Sequence, residues 1–221
     1  MEERATGIIL RTRPFTETSL IVQWLTVEFG RMATVAKGAR RAKSPFIGKL
    51  DLFYSANFSF QRSRRSELHT LRELQLRETH AHLREDLGWV HQASYFGLLI
   101  EKSTETETAI PEIYELLEHA LTALPKTKPS ARLVFAFELK LLALLGYEPD
   151  LENLTAEPRQ LAERLAAGSF EEILTKPSAR AYNELNRFLQ TSIAGAIEQL
   201  PAQREKALAA ALRALKTTEP S

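Results

Sequence analysis

Near residue 80 the apolar residues of this chain change their period, from about two to between three and four. A period of two places one face of a strand against a core. A period near 3.6 does the same for a helix, so the switch divides the chain into a β part and a helical part. In the first part, Gly7–Arg11 is a short apolar strand closed by Arg13-Pro14, and Ser19–Leu25 is β-branched and aromatic. A Phe29-Gly30 turn leads into Met32–Lys37, Leu50–Phe60 alternates in part, and a polar turn, Arg62–Glu67, precedes Leu68–Leu76. Five strands with turn signals at short spacing, in about 75 residues, suit a small barrel better than a sandwich. The OB type is the natural candidate, because it has five strands and a face that binds oligonucleotides.

The second part begins near Leu83, with Leu87, Val90, Tyr95, Leu98 and Leu99 at helical spacing. Pro111 sits where a helix starts, since its missing N–H costs nothing there, and Ile113, Leu116, Leu117, Ala120, Leu121 and Leu124 form one stripe. Ser130 is placed to cap a helix from Ala131 to Leu145, with Gly146 as its terminator. That helix is apolar nearly all round and is expected at the buried centre of the second domain. Pro149, Pro158, Gly168 and Pro177 divide residues 147–177 into short fragments, and helices follow from Ser178 and after Pro201. The fold class is therefore α+β: a five-stranded OB-fold barrel over residues 1–80, then an α-helical domain over 81–221.

At 221 residues and 44% hydrophobic the chain can bury a real core. It has no cysteine, which excludes disulfide scaffolds and thiolate metal sites. The opening Met-Glu-Glu-Arg lacks the form of a signal peptide, and no apolar run approaches the ~20 residues of a membrane span. A cytoplasmic location is expected. The net charge of +1 hides an asymmetry: residues 1–80 carry 14 Lys/Arg against 8 Asp/Glu, which leaves 15 against 20 for the rest. A basic head on a mildly acidic body points to an anionic partner for the head.

The charge concentrates between Gly30 and Leu50, where Lys37, Arg40, Arg41, Lys43 and Lys49 share a Gly/Ser/Pro-punctuated loop with no acid. Like charges so close repel one another unless an anion sits among them, although a solvated basic turn is the plainer alternative. Arg31 and the turn trio Arg62, Arg64 and Arg65 extend the set, and both turns can lie along one side of a barrel to follow a phosphate backbone. Phe58 and Phe60, two apart on a strand, either stack bases or fill the barrel.

Other chemistry is poorly supported. His80, His82, Glu85, Asp86 and His91 cluster in sequence, but on a helix His80 and His82 face different ways and no H-E-x-x-H is present. No phosphate-binding glycine loop and no nucleophile elbow occurs, so no metal, no cofactor and no turnover is expected. On the apolar helix, Arg132 and Lys140 lie about 12 Å apart by helical rise. With Phe135, Phe137 and Leu139 they either frame a pocket for an apolar, acid-ended peptide or are cations snorkelling from a core helix.

Residues 7–46, G-I-I-L-R-T-R-P-F-T-E-T-S-L-I-V-Q-W-L-T-V-E-F-G-R-M-A-T-V-A-K-G-A-R-R-A-K-S-P-F, resemble the N-terminal signature of the bacterial recombination mediator family RecO. E-F-G-R followed by V-A-K-G-A-R-R is the most specific part. F-E-L-K-L-L-A-L-L-G-Y-E-P-D-L, residues 137–151, resembles the family's helix ending in Gly-Tyr-x-Pro. The resemblance implies a non-enzymatic protein that binds single- and double-stranded DNA and anneals complementary strands. It implies capture of the acidic C-terminal tail of single-stranded DNA-binding protein, and action with RecR to load RecA. By position it implies DNA contact at Lys37, Arg40, Arg41 and Lys43, and tail capture near Arg132 and Lys140. Charge and spacing alone leave open a rival, a protein adaptor whose basic loop docks on an acidic partner. Many members of the family carry a Cys-x-x-Cys zinc module where this chain has Leu154 and Glu157. The departure implies no zinc, with residues 150–177 an irregular, mobile segment held by packing alone.

Overall fold

The computed structural model describes residues 2–170, 177–197 and 200–216. Five strands, β1 (Glu2–Pro14), β2 (Leu20–Thr26), β3 (Gly30–Ala36), β4 (Ser55–Gln61) and β5 (Leu68–Glu78), close a barrel in the order β1-β2-β3-β5-β4. β1 is long because it serves two neighbours. Its first half, Glu2–Ile8, pairs with β4, and its second half, Gly7–Pro14, pairs with β2 across an irregularity at Ile9/Arg11. A bulge of that kind bends a strand, and the bend lets one strand join both sides of a closing sheet. Gly7 sits where the two pairings overlap, and a Cβ there would meet Thr26 Cγ2 at 3.0 Å and Phe58 Cε1 at 3.1 Å. β3 closes against β5 in parallel, Ala33 beside Leu68 and Val35 beside Thr70.

The barrel core is aromatic. Trp24 is fully buried, stacks on Phe58 at 4.2 Å between ring centroids, and donates its Nε1–H to Thr34 Oγ1 at 2.9 Å. The last bond matters because a buried indole N–H without a partner is costly. Residues Thr104–Glu115 also belong to the barrel unit. Glu107 there donates its N–H to the Arg31 carbonyl at 2.7 Å. Gly30 holds φ +65° with Thr108 against it: a Cβ at this position would fall 2.0 Å from the Thr108 carbonyl oxygen, so only glycine fits.

The helical unit comprises His82–Ser103 and Leu116 onward. Its elements are α1 (Leu87–Ser103), the part of α2 (Pro111–Ala123) from Leu116 on, α3 (Ala131–Leu144), α4 (Ala156–Ala167), α5 (Ala179–Ala196) and α6 (Gln203–Lys216). Ser130 caps α3 by accepting from the Arg132 N–H, and Gly146 follows the helix at φ +78°. Every residue of α3 from Leu133 to Leu139 is buried, against α1, α4, α5 and α6. One of them is Glu138, whose carboxylate takes both Arg204 Nε and Nη2, at 2.7 and 3.0 Å, and the Tyr95 hydroxyl at 2.7 Å. Burial first, and Glu138 second, push the Tyr95 hydroxyl well above its ordinary pKa. Burial opposes the Arg204 charge, but Glu138 outweighs it and raises that pKa.

Residues 150–170 are more regular than the sequence suggests. Asp150 caps a short turn, Leu151–Asn153, and α4 follows from Ala156. Leu154 packs inward, while Glu157 accepts from both the N–H and the hydroxyl of Ser178, at 3.2 and 2.8 Å, at the start of α5. Glu184 of α5 accepts from Thr155 in the same way, at 2.7 and 2.9 Å. Packing alone is thus not what holds this part together, since reciprocal capping bonds join the starts of α4 and α5. Of the segment expected to be irregular and mobile, 171–176 lie outside the described residues. No helix among the described residues is long and apolar enough to cross a membrane.

Candidate nucleic-acid interface

Between β3 and β4 the chain runs through a series of tight turns, closed by Arg41 N–H to Gly38 O at 3.0 Å, Ser44 N–H to Arg41 O at 3.0 Å and Lys49 N–H to Phe46 O at 3.1 Å. Gly38 and Gly48 take positive φ, +68° and +69°, as such turns require. Two side chains pin the loop: Ala39 and Phe46 are buried in the barrel core. The backbone is also tied to the β1–β2 turn, with Arg40 N–H on Thr18 O at 2.9 Å and Gly38 N–H on Ser19 Oγ at 3.4 Å.

Small and aromatic residues therefore anchor the loop and leave its long cations outside. Lys37, Arg40, Arg41 and Lys43 are exposed and Lys49 is half-buried. Among the described residues no acid stands within ion-pair distance of any of the five. This is the main uncompensated charge of the barrel, held on a braced scaffold.

The second cationic turn is built differently. Arg62 donates to Glu3 at 2.7 Å and to Glu107 at 2.9 Å, with its guanidinium 5.2 Å over the Phe29 ring. Glu107 also meets His69 Nε2, and His69 is buried and stacked on Phe60. The Arg62 hydrogen bond holds the Glu3 carboxyl below its ordinary pKa. Burial opposes the Glu107 charge, but His69 and Arg62 together bring its pKa below the ordinary value as well. Arg31 donates to the hydroxyl and carbonyl of Thr104. Arg31 and Arg62 are thus bonded within the barrel unit, unlike the cations of the loop between β3 and β4. Arg64 and Arg65 are exposed.

The two turns meet the sheet at different heights on neighbouring strands. The basic loop leaves β3 after Ala36, whereas the 62–67 turn enters β5 at Leu68, beside Ala33, in parallel with β3. The two points stand three residues apart along β3, about 10 Å by strand rise. Strand order and register set this separation, and neither is visible in local spacing.

Phe58 and Phe60 resolve to core, 4% and 0% exposed, one stacked on Trp24 and the other on His69. Their faces are covered, so of the two readings left open for this pair the barrel-core one describes it. In the helical unit, Phe135, Phe137 and Leu139 are likewise buried and form no surface pocket wall. Arg132 lies over the hydroxyl of its own capping Ser130, and Lys140 donates to Ala166 O at 2.7 Å, near the end of α4, with the Phe170 ring 5.9 Å away. Burial lowers the pKa of both cations. The apolar cavity under α3, lined by Leu99, Leu141, Leu145 and Ile193 among others, is about 10 Å³, room for roughly one water. Among the described residues no three His, Asp or Glu side chains converge as metal ligands, and His82 instead pairs with Glu85 at 2.8 Å.

A closed barrel in this strand order, with a bare cationic loop at one end, defines an OB-fold protein. The family model for the N-terminal domain of recombination protein O matches residues 1–80, and that for its C-terminal domain matches 84–217. The chain belongs to the recombination protein O family. Among its relatives is the DNA repair protein RecO of Syntrophus aciditrophicus, 31% identical over 156 residues, covering 69% of this chain and 60% of that one. The DNA repair protein RecO of Bacillus pumilus is 32% identical over 150 residues (68% and 58%), and that of Rhodopirellula baltica 31% over 164 residues (74% and 61%). The matched part thus spans about three fifths of each relative's length.

Proposed function

We propose that this protein binds DNA through phosphate contacts at Lys37, Arg40, Arg41 and Lys43, with Lys49 at the margin, and brings complementary strands together for annealing. The observation that carries the reading is the braced, acid-free loop whose cations make no internal ion pair. Neutralising phosphates at one end of the barrel lowers the repulsion between two strands, and base pairing supplies the selectivity. No bond is made or broken by the protein, so its role is stoichiometric. Arg64 and Arg65, on the turn between β4 and β5, offer a second contact.

In this reading the protein is a cytoplasmic, nucleoid-associated mediator of recombinational repair. It is recruited to DNA coated by single-stranded DNA-binding protein and acts with RecR to load RecA. The acidic tail of the coating protein is met on the helical unit near Arg132 and Lys140, whose partial burial favours an anionic partner. Membership of the recombination protein O family supports this role.

The test is a salt series on labelled single-stranded DNA. Each phosphate neutralised contributes about −0.7 to the log–log slope for a single strand, so four cations give about −3. Lys37→Glu/Arg40→Glu/Arg41→Glu should abolish most binding and flatten the slope, while far-ultraviolet circular dichroism stays unchanged. No binding by the native protein even at low salt would exclude the DNA reading and leave the protein-adaptor alternative. For the tail, Arg132→Glu should weaken a titrated acidic tail peptide at least tenfold, and unchanged affinity would place that contact elsewhere.

A further inference from the structure

The β1–β2 turn, residues 15–19, presents an aromatic ring that neither the fold nor the phosphate contacts use. Phe15 is 53% exposed and is the only exposed phenylalanine among the described residues. Single hydrophobes on a surface are ordinary, so exposure by itself says little. Its setting says more. The turn is closed by Phe15 N–H to Ser19 O at 3.0 Å and by Ser19 N–H to Thr16 Oγ1 at 3.1 Å. The same turn is bonded to the cationic loop through Thr18 to Arg40 and Ser19 to Gly38.

The ring is therefore held on the scaffold that carries Lys37, Arg40, Arg41 and Lys43. Exposed Arg13 precedes it on β1, and Glu17 is the single acid on the turn. A second exposed hydrophobe, Ile47, also 53%, stands on the cationic loop itself. Aromatic surface set among free cations is the combination that takes unpaired bases while the cations track the backbone. A duplex cannot use such a ring, since its bases already stack on one another.

We propose that Phe15 is the stacking platform for an unpaired base of single-stranded DNA whose backbone runs along the Lys37–Lys43 loop. The proposal rests on the DNA-binding reading above and adds to it a means of telling single strands from duplex. Holding an unpaired base face-on at the site of phosphate neutralisation also presents one strand to its complement.

The experiment compares Phe15→Ala, Phe15→Trp and the native protein by fluorescence anisotropy on an oligothymidylate and on a duplex of equal length, across a salt series. Phe15→Ala should weaken the single strand by about 5- to 100-fold, the effect of removing one stacked base, with its salt slope unchanged and duplex binding retained. Phe15→Trp should restore the affinity and show quenching of its added indole. Half-exposed Phe15 contributes little to the core, and a matching melting temperature checks that the variants fold. Unchanged single-strand affinity in Phe15→Ala, or equal losses on both DNAs, overturns the stacking role. If the triple charge variant loses binding while Phe15→Ala does not, the DNA reading stands and this proposal alone falls. A native protein that binds neither DNA sinks both.

Discussion

Arg62 and Arg40 carry the same guanidinium on the same barrel, yet the surroundings give them different work. Arg62 is spanned by two carboxylates and lies on an aromatic ring, while Arg40 has only its backbone engaged and its side chain in water. Arg62→Ala should therefore lower stability by about 1–2 kcal/mol, read as a fall of a few degrees in melting temperature, and leave DNA affinity nearly unchanged. The pH dependence follows from the same group. Glu3 and Glu107 have folded pKa values below their ordinary ones, so their stabilisation is complete above the unfolded carboxylate pKa of about 4.3. It is lost as pH falls through the depressed folded values. Denaturant melts of the native protein should weaken between about pH 5 and pH 3, and Arg62→Ala should flatten that slope. An identical acid slope in the variant would show that the network contributes nothing.

At the scale of elements, capping and burial account for most of what is seen. Ser130 and Ser178 each accept a backbone N–H at the start of a helix, and Gly146 ends one; all three are local signals. The Glu138 carboxylate is different, because α1, α3 and α6 meet on it through Tyr95 and Arg204. Helical periodicity treats Glu138 as a break in an apolar face and gives no hint of its partner 66 residues on. Glu138→Ala should cost about 3–5 kcal/mol, because it strands a buried guanidinium. Replacing both partners together, as Glu138→Leu/Arg204→Met, should recover most of that loss in chemical denaturation. A double variant no more stable than the single one would mean that the pair itself, not the stranded charge, sets the energy.

Across the whole molecule the charge is uneven, and the fold sharpens that unevenness. Of the cations in the barrel, Arg62 on the turn between β4 and β5 is neutralised by Glu3 and Glu107, while those in the loop between β3 and β4 remain bare. Periodicity, turn residues and caps are properties of neighbouring residues, and they determined the five strands, the helical region and the helix starts. The basic loop was legible for the same reason, since its charge lies in one short stretch. Which cations stay free was decided by tertiary structure alone: Glu107 lies 45 residues from Arg62, and only barrel closure with the 104–115 segment joins them. The burial of Phe58 and Phe60 and the exposure of Phe15 have the same origin, because a strand pattern alternates faces without saying which one the closing sheet turns inward.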